Sequence, residues 1–284
     1  MTWRGAGRVA AAVGAAVGSG LLVGASAAVA VPHALEDGVT ALTVASGLVL
    51  VLSVLLLVAV VVAAGRRTGG WRRWLAAAAT VLLTLVVVDV VALPVAATTA
   101  PSPSVGARTP ASAGLAFREV RTTTSDGVRL AGWYLPSTNR AAVVLLHGSG
   151  STRSAVLDQA IVLGRNGFGV LALDARGHGR SDGRAMDFGW HGDLDAAAGV
   201  TFLGTRPDVD PGRIAVVGLS MGGEEAIGAA AADSRVRAVV AEGVTGRQAA
   251  DLRWLSEAYG WRGAAQEGIE RAKTVVTQVL ARRR

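Results

Sequence analysis

The chain has 284 residues, half of them apolar, with few aromatic or charged side chains and no cysteine. Disulfides, thiolate metal sites and a cysteine nucleophile are therefore excluded. Residues 1–110 hold seven arginines against Glu36, Asp37 and Asp89, so +4 of the net +7 sits there and +3 in the remainder. The second part is only mildly basic and has no aromatic-interleaved basic stripe, which leaves nucleic-acid binding without support.

The first 97 residues read as a membrane domain of three transmembrane helices. Val9–Val31, Val39–Ala64 and Leu75–Ala97 are apolar runs long enough for a bilayer, which needs about 20 residues. Arg4 and Arg8 precede the first run, Glu36 and Asp37 follow it, and Arg66, Arg67, Arg72 and Arg73 lie between the second and third. Positive charge stays on the cytoplasmic side. The N-terminus and the arginine loop are thus expected in the cytoplasm, and whatever follows the third run outside it. The first run exceeds the 7–15 apolar residues of a signal peptide, which favours a retained helix over cleavage after Ala28-Val29-Ala30. Trp71 and Trp74 stand where interfacial anchors belong. Asp89 lies within the third run, and a hydrogen-bonded aspartate facing another helix, with Ser53 or a neighbouring subunit as partner, is the expectation for it. Residues 98–113, rich in Pro, Ser, Thr and Ala, read as an extended linker.

Residues 114–284 alternate between strand and helix patterns. Phe117–Thr124 and Val128–Leu135 flank the turn Ser125-Asp126-Gly127 and predict a hairpin. Ala141–Leu146 and Gly169–Leu173 are continuous apolar runs suited to strands buried on both faces. Helices are expected over Arg153–Asn166 and Trp190–Leu203. Then come a strand from Ile214, a helix from Glu224 and a strand Val236–Ala241, with helical patterns at Gly246–Tyr259 and Gly263–Leu280. The fold class is α/β, a mostly parallel sheet with helices on both faces and the hairpin as its antiparallel edge.

The stretch Gly218-Leu219-Ser220-Met221-Gly222 falls where a strand meets a helix. A sharp turn there strains its central residue, and small residues two positions away on each side avoid a Cβ clash. Ser220 would stand above the sheet edge with the start of a helix beside it, where negative charge is favoured. His147-Gly148-Ser149-Gly150 follows the Ala141 strand. The N–H groups of Ser149 and Met221 would then form an oxyanion hole. Asp174-Ala-Arg-Gly-His-Gly-Arg-Ser181 ends the Gly169 strand at the same edge.

These three stretches resemble the α/β-hydrolase superfamily, and more narrowly its serine aminopeptidase and monoacylglycerol-lipase-like branch. The resemblance covers about Phe117 to Gly243. It implies Ser220 as nucleophile, Ser149 and Met221 as oxyanion donors, a chiefly structural Asp174–Ser181 loop, and no cofactor or metal. Family members continue through a cap and two further strands that carry the acid and the histidine; here 41 residues follow Gly243, and no histidine follows Ser220. The domain is therefore expected to lack its last strands. Of the four histidines, His147 is expected near Ser220, His178 a strand further away, and His191 at a helix cap. The expectation is a multi-pass cell-membrane serine hydrolase of ester, amide or peptide bonds, acting on a small molecule or peptide outside the cytoplasm, incomplete in its catalytic set. A non-catalytic domain that binds a ligand or partner is the alternative.

Overall fold

Apolar runs can satisfy their backbone without water only by coiling. A computed structural model of the chain has three such helices at the start, α1 (Trp3–Glu36), α2 (Ala41–Arg66) and α3 (Arg72–Thr99). The structure describes residues 3–66, 70–183, 189–244, 246 and 249–281; Arg67 and Arg282–Arg284 lie outside them. The chain divides into two compact units, Met1–Ala100 with Leu252–Arg284, and Pro101–Asp251. All three helices are long and apolar enough to cross a membrane. α1 and α3 touch through small residues. A Cβ at Gly20 would lie 2.9 Å from that of Val87, and one at Gly24 would lie 3.2 Å from the Val88 carbonyl oxygen.

The second unit is built on a six-stranded sheet. Its elements are β1 (Arg118–Thr123), β2 (Arg129–Leu135), β3 (Ala142–Leu146), α4 (Leu157–Arg165), β4 (Gly169–Leu173), α5 (Gly192–Gly204), β5 (Ile214–Leu219), α6 (Met221–Ala232) and β6 (Val236–Glu242). The order is β1-β2-β4-β3-β5-β6. β1 and β2 are antiparallel, β2 meets β4 antiparallel, and β4, β3, β5 and β6 run parallel. The hairpin forms the antiparallel edge, as its pattern predicts. β3 and β4, which lack polar side chains, are buried along their whole length. On one face Val144, Leu171 and Val216 pack with Ala196, Val200 and Ala226 of α5 and α6. On the other, Trp133, Leu145 and Val170 pack with Leu157, Ala160 and Ile161 of α4. Each large aliphatic side chain buried this way contributes roughly 1.5–3 kcal/mol.

The helix expected over Arg153–Asn166 begins as a 3-10 turn, Arg153–Val156, before α4. The reason is tertiary. The Arg153 N–H donates to the Asp174 carboxylate at 2.9 Å, so the first turn is held from another loop. Leu252–Arg284 belongs to the first unit. It holds α7 (Trp254–Tyr259) and α8 (Trp261–Ala281), where the sequence grouped both with the sheet. The helix expected over Gly246–Tyr259 is a short 3-10 turn, Ala249–Leu252, followed by α7; residues 245, 247 and 248 lie outside the described set. Asp89 does not pair with Ser53, whose hydroxyl donates to Val49 of its own helix. Its partner is Lys273 of α8, at 2.8 Å.

Candidate active site

Ser220 links β5 to α6 with φ 53° and ψ −119°, one of two non-glycine residues with positive φ among those described. A side chain in this region is strained and persists where its surroundings hold it. Here the Ser220 N–H donates to the Glu242 carbonyl at 2.7 Å, and its own carbonyl accepts from Gly223 and Glu224. Close approach does the rest. A Cβ on Gly218 would land on the Gly222 carbonyl, and one on Gly222 would lie 2.7 Å from the carbonyl oxygens of Leu146 and His147. Both glycines of the five-residue pattern are thus required by packing. Ser220 itself is exposed, standing clear of the sheet.

β3 and β5 are neighbours in register, Leu146 opposite Gly218, which brings the loop after β3 to the elbow. A Cβ on Gly148 would sit 3.4 Å from that of Ser220. Ser149 is exposed at this edge. Met221 opens α6, where the first N–H groups of a helix have no partner within it. The structure therefore collects Ser220, Met221 and the Gly148–Ser149 loop at the carboxyl end of the parallel strands.

His147 arrives with them but is already engaged. Its Nδ1 pairs with the Gly148 carbonyl at 2.7 Å, and its Nε2 accepts the Ala175 N–H at 3.0 Å. These bonds assign the proton to Nδ1. The ring is 1% exposed, and burial, with His178 adding to it, pushes its pKa down to about 3. His178 lies edge-on to it with ring centroids 4.9 Å apart and donates from Nδ1 to the Arg176 carbonyl. His191 occupies the N-cap position of α5 but supplies no capping hydrogen bond from its side chain. Among the described residues, no side chain is hydrogen-bonded to the Ser220 hydroxyl.

The Asp174–Ser181 loop is tied down from several sides. Buried Asp174 accepts from the N–H groups of Arg153 and Arg180; burial pushes its carboxyl above the usual range, against those bonds and Arg153. The Ser181 hydroxyl donates to the Asp174 carbonyl and accepts the Ala131 N–H. Arg176 binds Asp195 through Nε and Nη2 at 2.9 and 2.7 Å and Asp126 through Nη1 at 2.8 Å. That pairing holds Asp126 down at about 2, whereas burial raises Asp195. Arg153, which the sequence offered no reason to single out, is fully buried over the Trp133 ring, 4.8 Å from its centroid, and reaches Glu119 at 2.8 Å. Only its spatial neighbours mark it as a strut of the loop. Among the described residues no cluster of His, Asp or Glu is arranged to hold a metal.

Residues 137–266 match the family described as serine aminopeptidase, S33. They form a serine aminopeptidase S33 domain on an α/β-hydrolase fold. An esterase of Pyrococcus furiosus resembles the chain with 29% sequence identity and a TM-score of 0.50, over 62% of this chain and 68% of that one. An uncharacterised protein of Mycobacterium tuberculosis is 40% identical over 132 residues, 45% of this chain and 46% of its own. A thiohydrolase of Aspergillus aculeatus is 37% identical over 133 residues, 44% of this chain and 40% of its own. The chain thus spans less than half the length of these curated relatives. The S33 domain carries Ser220 at its strand-to-helix corner, in the second unit.

Proposed function

We propose that the chain is a membrane-anchored serine hydrolase of ester, amide or peptide bonds, with Ser220 as nucleophile and the S33 domain outside the cytoplasm. The observation that carries this reading is the backbone of Ser220, held at φ 53° on an exposed corner beside a helix start. The Ser220 Oγ would attack the carbonyl carbon of the substrate. The oxygen that becomes negative would receive the N–H groups of Ser149 and Met221, and collapse would expel the alcohol or amine and leave an acyl-serine for water to cleave. The relatives named as esterase and thiohydrolase support acyl transfer as the reaction class. α2 supports the anchor: it is apolar on every side, with Leu48, Val51, Leu52 and Leu55 exposed, as a helix bathed in lipid would be.

Removal of the Ser220 proton needs a base, and the four histidines do not supply one. His147 is closest in sequence register, and both of its nitrogens are occupied. Loss of a triad member typically costs on the order of 10⁴–10⁶ in turnover, leaving oxyanion and binding effects. These 284 residues are therefore expected to be nearly inactive alone on simple esters. The same feature favours a second reading, a non-catalytic domain that binds a ligand through the same cleft.

Imidazole added in solution separates the two readings. The purified chain and its Ser220→Ala variant are compared on a p-nitrophenyl ester over a range of imidazole concentrations, alongside fluorophosphonate labelling. A preformed nucleophile and oxyanion site gives a labelling that rises with imidazole in the parent and not in Ser220→Ala, and an ester rate that rises more steeply in the parent than in Ser220→Ala, where imidazole's own reaction with the ester sets the slope. Identical imidazole dependence in both proteins removes the hydrolase reading and leaves the binding one. Fast turnover without imidazole, abolished in Ser220→Ala, would show that the chain holds a base after all.

A further inference from the structure

The peptide between Gly148 and Ser149 has a carbonyl that is held twice and an N–H that is not held at all. The Gly148 carbonyl accepts from His147 Nδ1 at 2.7 Å and from the Ser151 hydroxyl at 2.8 Å. A carbonyl oxygen has two lone pairs, so both are engaged. His147 is buried and Ser151 half-buried, whereas Ser149 is exposed. Among the described residues no peptide bond is cis, and in a planar trans peptide the N–H points away from the carbonyl. A carbonyl turned toward His147 and Ser151 therefore turns the Ser149 N–H away from them. Among the described residues that N–H donates to no acceptor, and neither does the Met221 N–H. Buried backbone donors rarely go without a partner, and Met221 is buried. The peptide also lies beside the elbow, since a Cβ on Gly148 would be 3.4 Å from that of Ser220.

The two donors are held by different means. A neutral imidazole can carry its proton on either nitrogen, and the partner of one nitrogen decides the other. The Ala175 N–H, which can only donate, meets His147 Nε2 at 3.0 Å. The proton is thereby fixed on Nδ1, facing the Gly148 carbonyl. Ala175 follows Asp174, whose carboxylate accepts from the N–H groups of Arg153 and Arg180. The anchored loop after β4 thus selects the tautomer of His147, and that tautomer supplies the first donor. Ser151 supplies the second from within the loop after β3. Two donors have a purpose here because Gly148, without a Cβ, offers little resistance to a flip of the peptide. A flipped peptide would present a carbonyl where an N–H is needed, and an acceptor beside a developing negative oxygen repels it.

We propose that His147 and Ser151 are positioning residues for the oxyanion hole: by clamping the Gly148 carbonyl they aim the Ser149 N–H at the oxygen of the substrate carbonyl. The clamp rests on the reading of Ser220 as nucleophile, and the experiment separates the two. A fluorophosphonate sets its phosphoryl oxygen where that oxygen would lie, so its imidazole-assisted reaction with Ser220 reports the state of the hole. Ser151→Ala is expected to slow labelling roughly 2- to 10-fold, the worth of one hydrogen bond. Ser151→Thr, which keeps the hydroxyl, is expected to restore the rate. His147→Gln, which can accept from Ala175 but has no donor at the Nδ1 position, is expected to slow labelling as well, and the double variant with Ser151→Ala to lose more than either alone. Damage to the fold lowers the fraction labelled at saturation, whereas a misaimed N–H lowers only the rate. The carbonyl itself can be observed. Carbon-13 at glycine carbonyls with nitrogen-15 in serine leaves three Gly–Ser pairs visible by NMR, 18–19, 148–149 and 150–151. The Gly148 carbonyl signal is expected at higher field in Ser151→Ala than in the parent, as a hydrogen bond is lost. Parental labelling rates in Ser151→Ala and in the double variant overturn the clamp. Labelling of the parent no faster than that of Ser220→Ala ends the nucleophile reading; the carbonyl signal then decides the clamp by itself, a shift in Ser151→Ala upholding it and an unmoved signal overturning it.

Discussion

His147 separates nearness from function. Its place beside Ser220 was legible only through the resemblance, whose strand order sets the strand ending at His147 next to the one ending at Gly218, as the register of β3 and β5 has it. Its unavailability was not, because the Ala175 N–H that fills Nε2 comes from a loop 28 residues away. The glycines of the elbow were legible for a local reason: the residues they must avoid, Gly222 for Gly218 and the end of β3 for Gly222, follow from the turn itself. The buried neutral ring has a consequence that can be measured. With a pKa of about 3 in the fold and about 6.5 in an unfolded chain, the folded state favours the neutral form. The contribution is fully present above pH 6.5 and is lost as the pH falls from there toward 3. His178, lowered by burial, acts with the same sign. Asp126, held at about 2 by Arg176, contributes stability that is lost only as the pH falls from about 4 through 2, below the histidine window. Asp174 and Asp195, raised by burial, work in the opposite direction as they protonate, so the comparison must isolate His147. His147→Gln can still accept from Ala175 and cannot charge. Denaturant midpoints of the detergent-solubilised chain between pH 7.5 and 5 are expected to fall more steeply in the parent than in His147→Gln. The difference is limited to a few kcal/mol, at about 1.4 kcal/mol per unit. Parallel slopes would mean that the ring charges freely in the fold.

β6 shows what a strand pattern does and does not disclose. Val236–Ala241 was legible as a strand because its branched apolar residues fit a pleated surface. Whether both of its faces are covered is a property of its neighbours. In the sheet it pairs with β5 alone. Val236 and Val239 pack on the side of α5 and α6, while on the other face Val240 is 59% exposed and Ala238 is exposed beside it. An apolar strand with one unpaired edge is a template for pairing with another chain. The solubilised protein is therefore expected to associate with time, and Val240→Lys to slow this at little cost to folding, since the side chain already meets solvent. Light scattering of parent and variant at equal concentration is the measurement; equal growth of scattering would place the association elsewhere. By the same logic α4 was legible as a helix and its 3-10 entry was not, since the bond that shapes that entry comes from Asp174, 21 residues on.

At the scale of the whole chain, the sequence disclosed the apolar helices and the α/β sheet through length and periodicity, and hid the membership of α8. The helical pattern of α8, with its many charged residues, reads as part of the sheet domain, and only the structure places it in the first unit with Lys273 against Asp89 of α3. The partner of Asp89, 184 positions away at Lys273, was hidden for the same reason. The orientation proposed for the chain rests on charges that belong to no single element. Arg4 and Arg8 precede α1, Glu36 and Asp37 lie at its far end, and Arg66, Arg67, Arg72 and Arg73 stand between α2 and α3. Each basic cluster resists translocation, and the acidic turn does not. All the clusters are satisfied at once only with the arginine loop in the cytoplasm and the linker after α3 outside it. A reporter that is active only in the cytoplasm, fused after Ser112, is therefore expected to be silent, and one that requires export to be active. The same pair fused after Thr68 is expected to give the opposite result. A cytoplasmic signal after Ser112 would invert the orientation and place Ser220 in the cytoplasm, whatever the chemistry of its site.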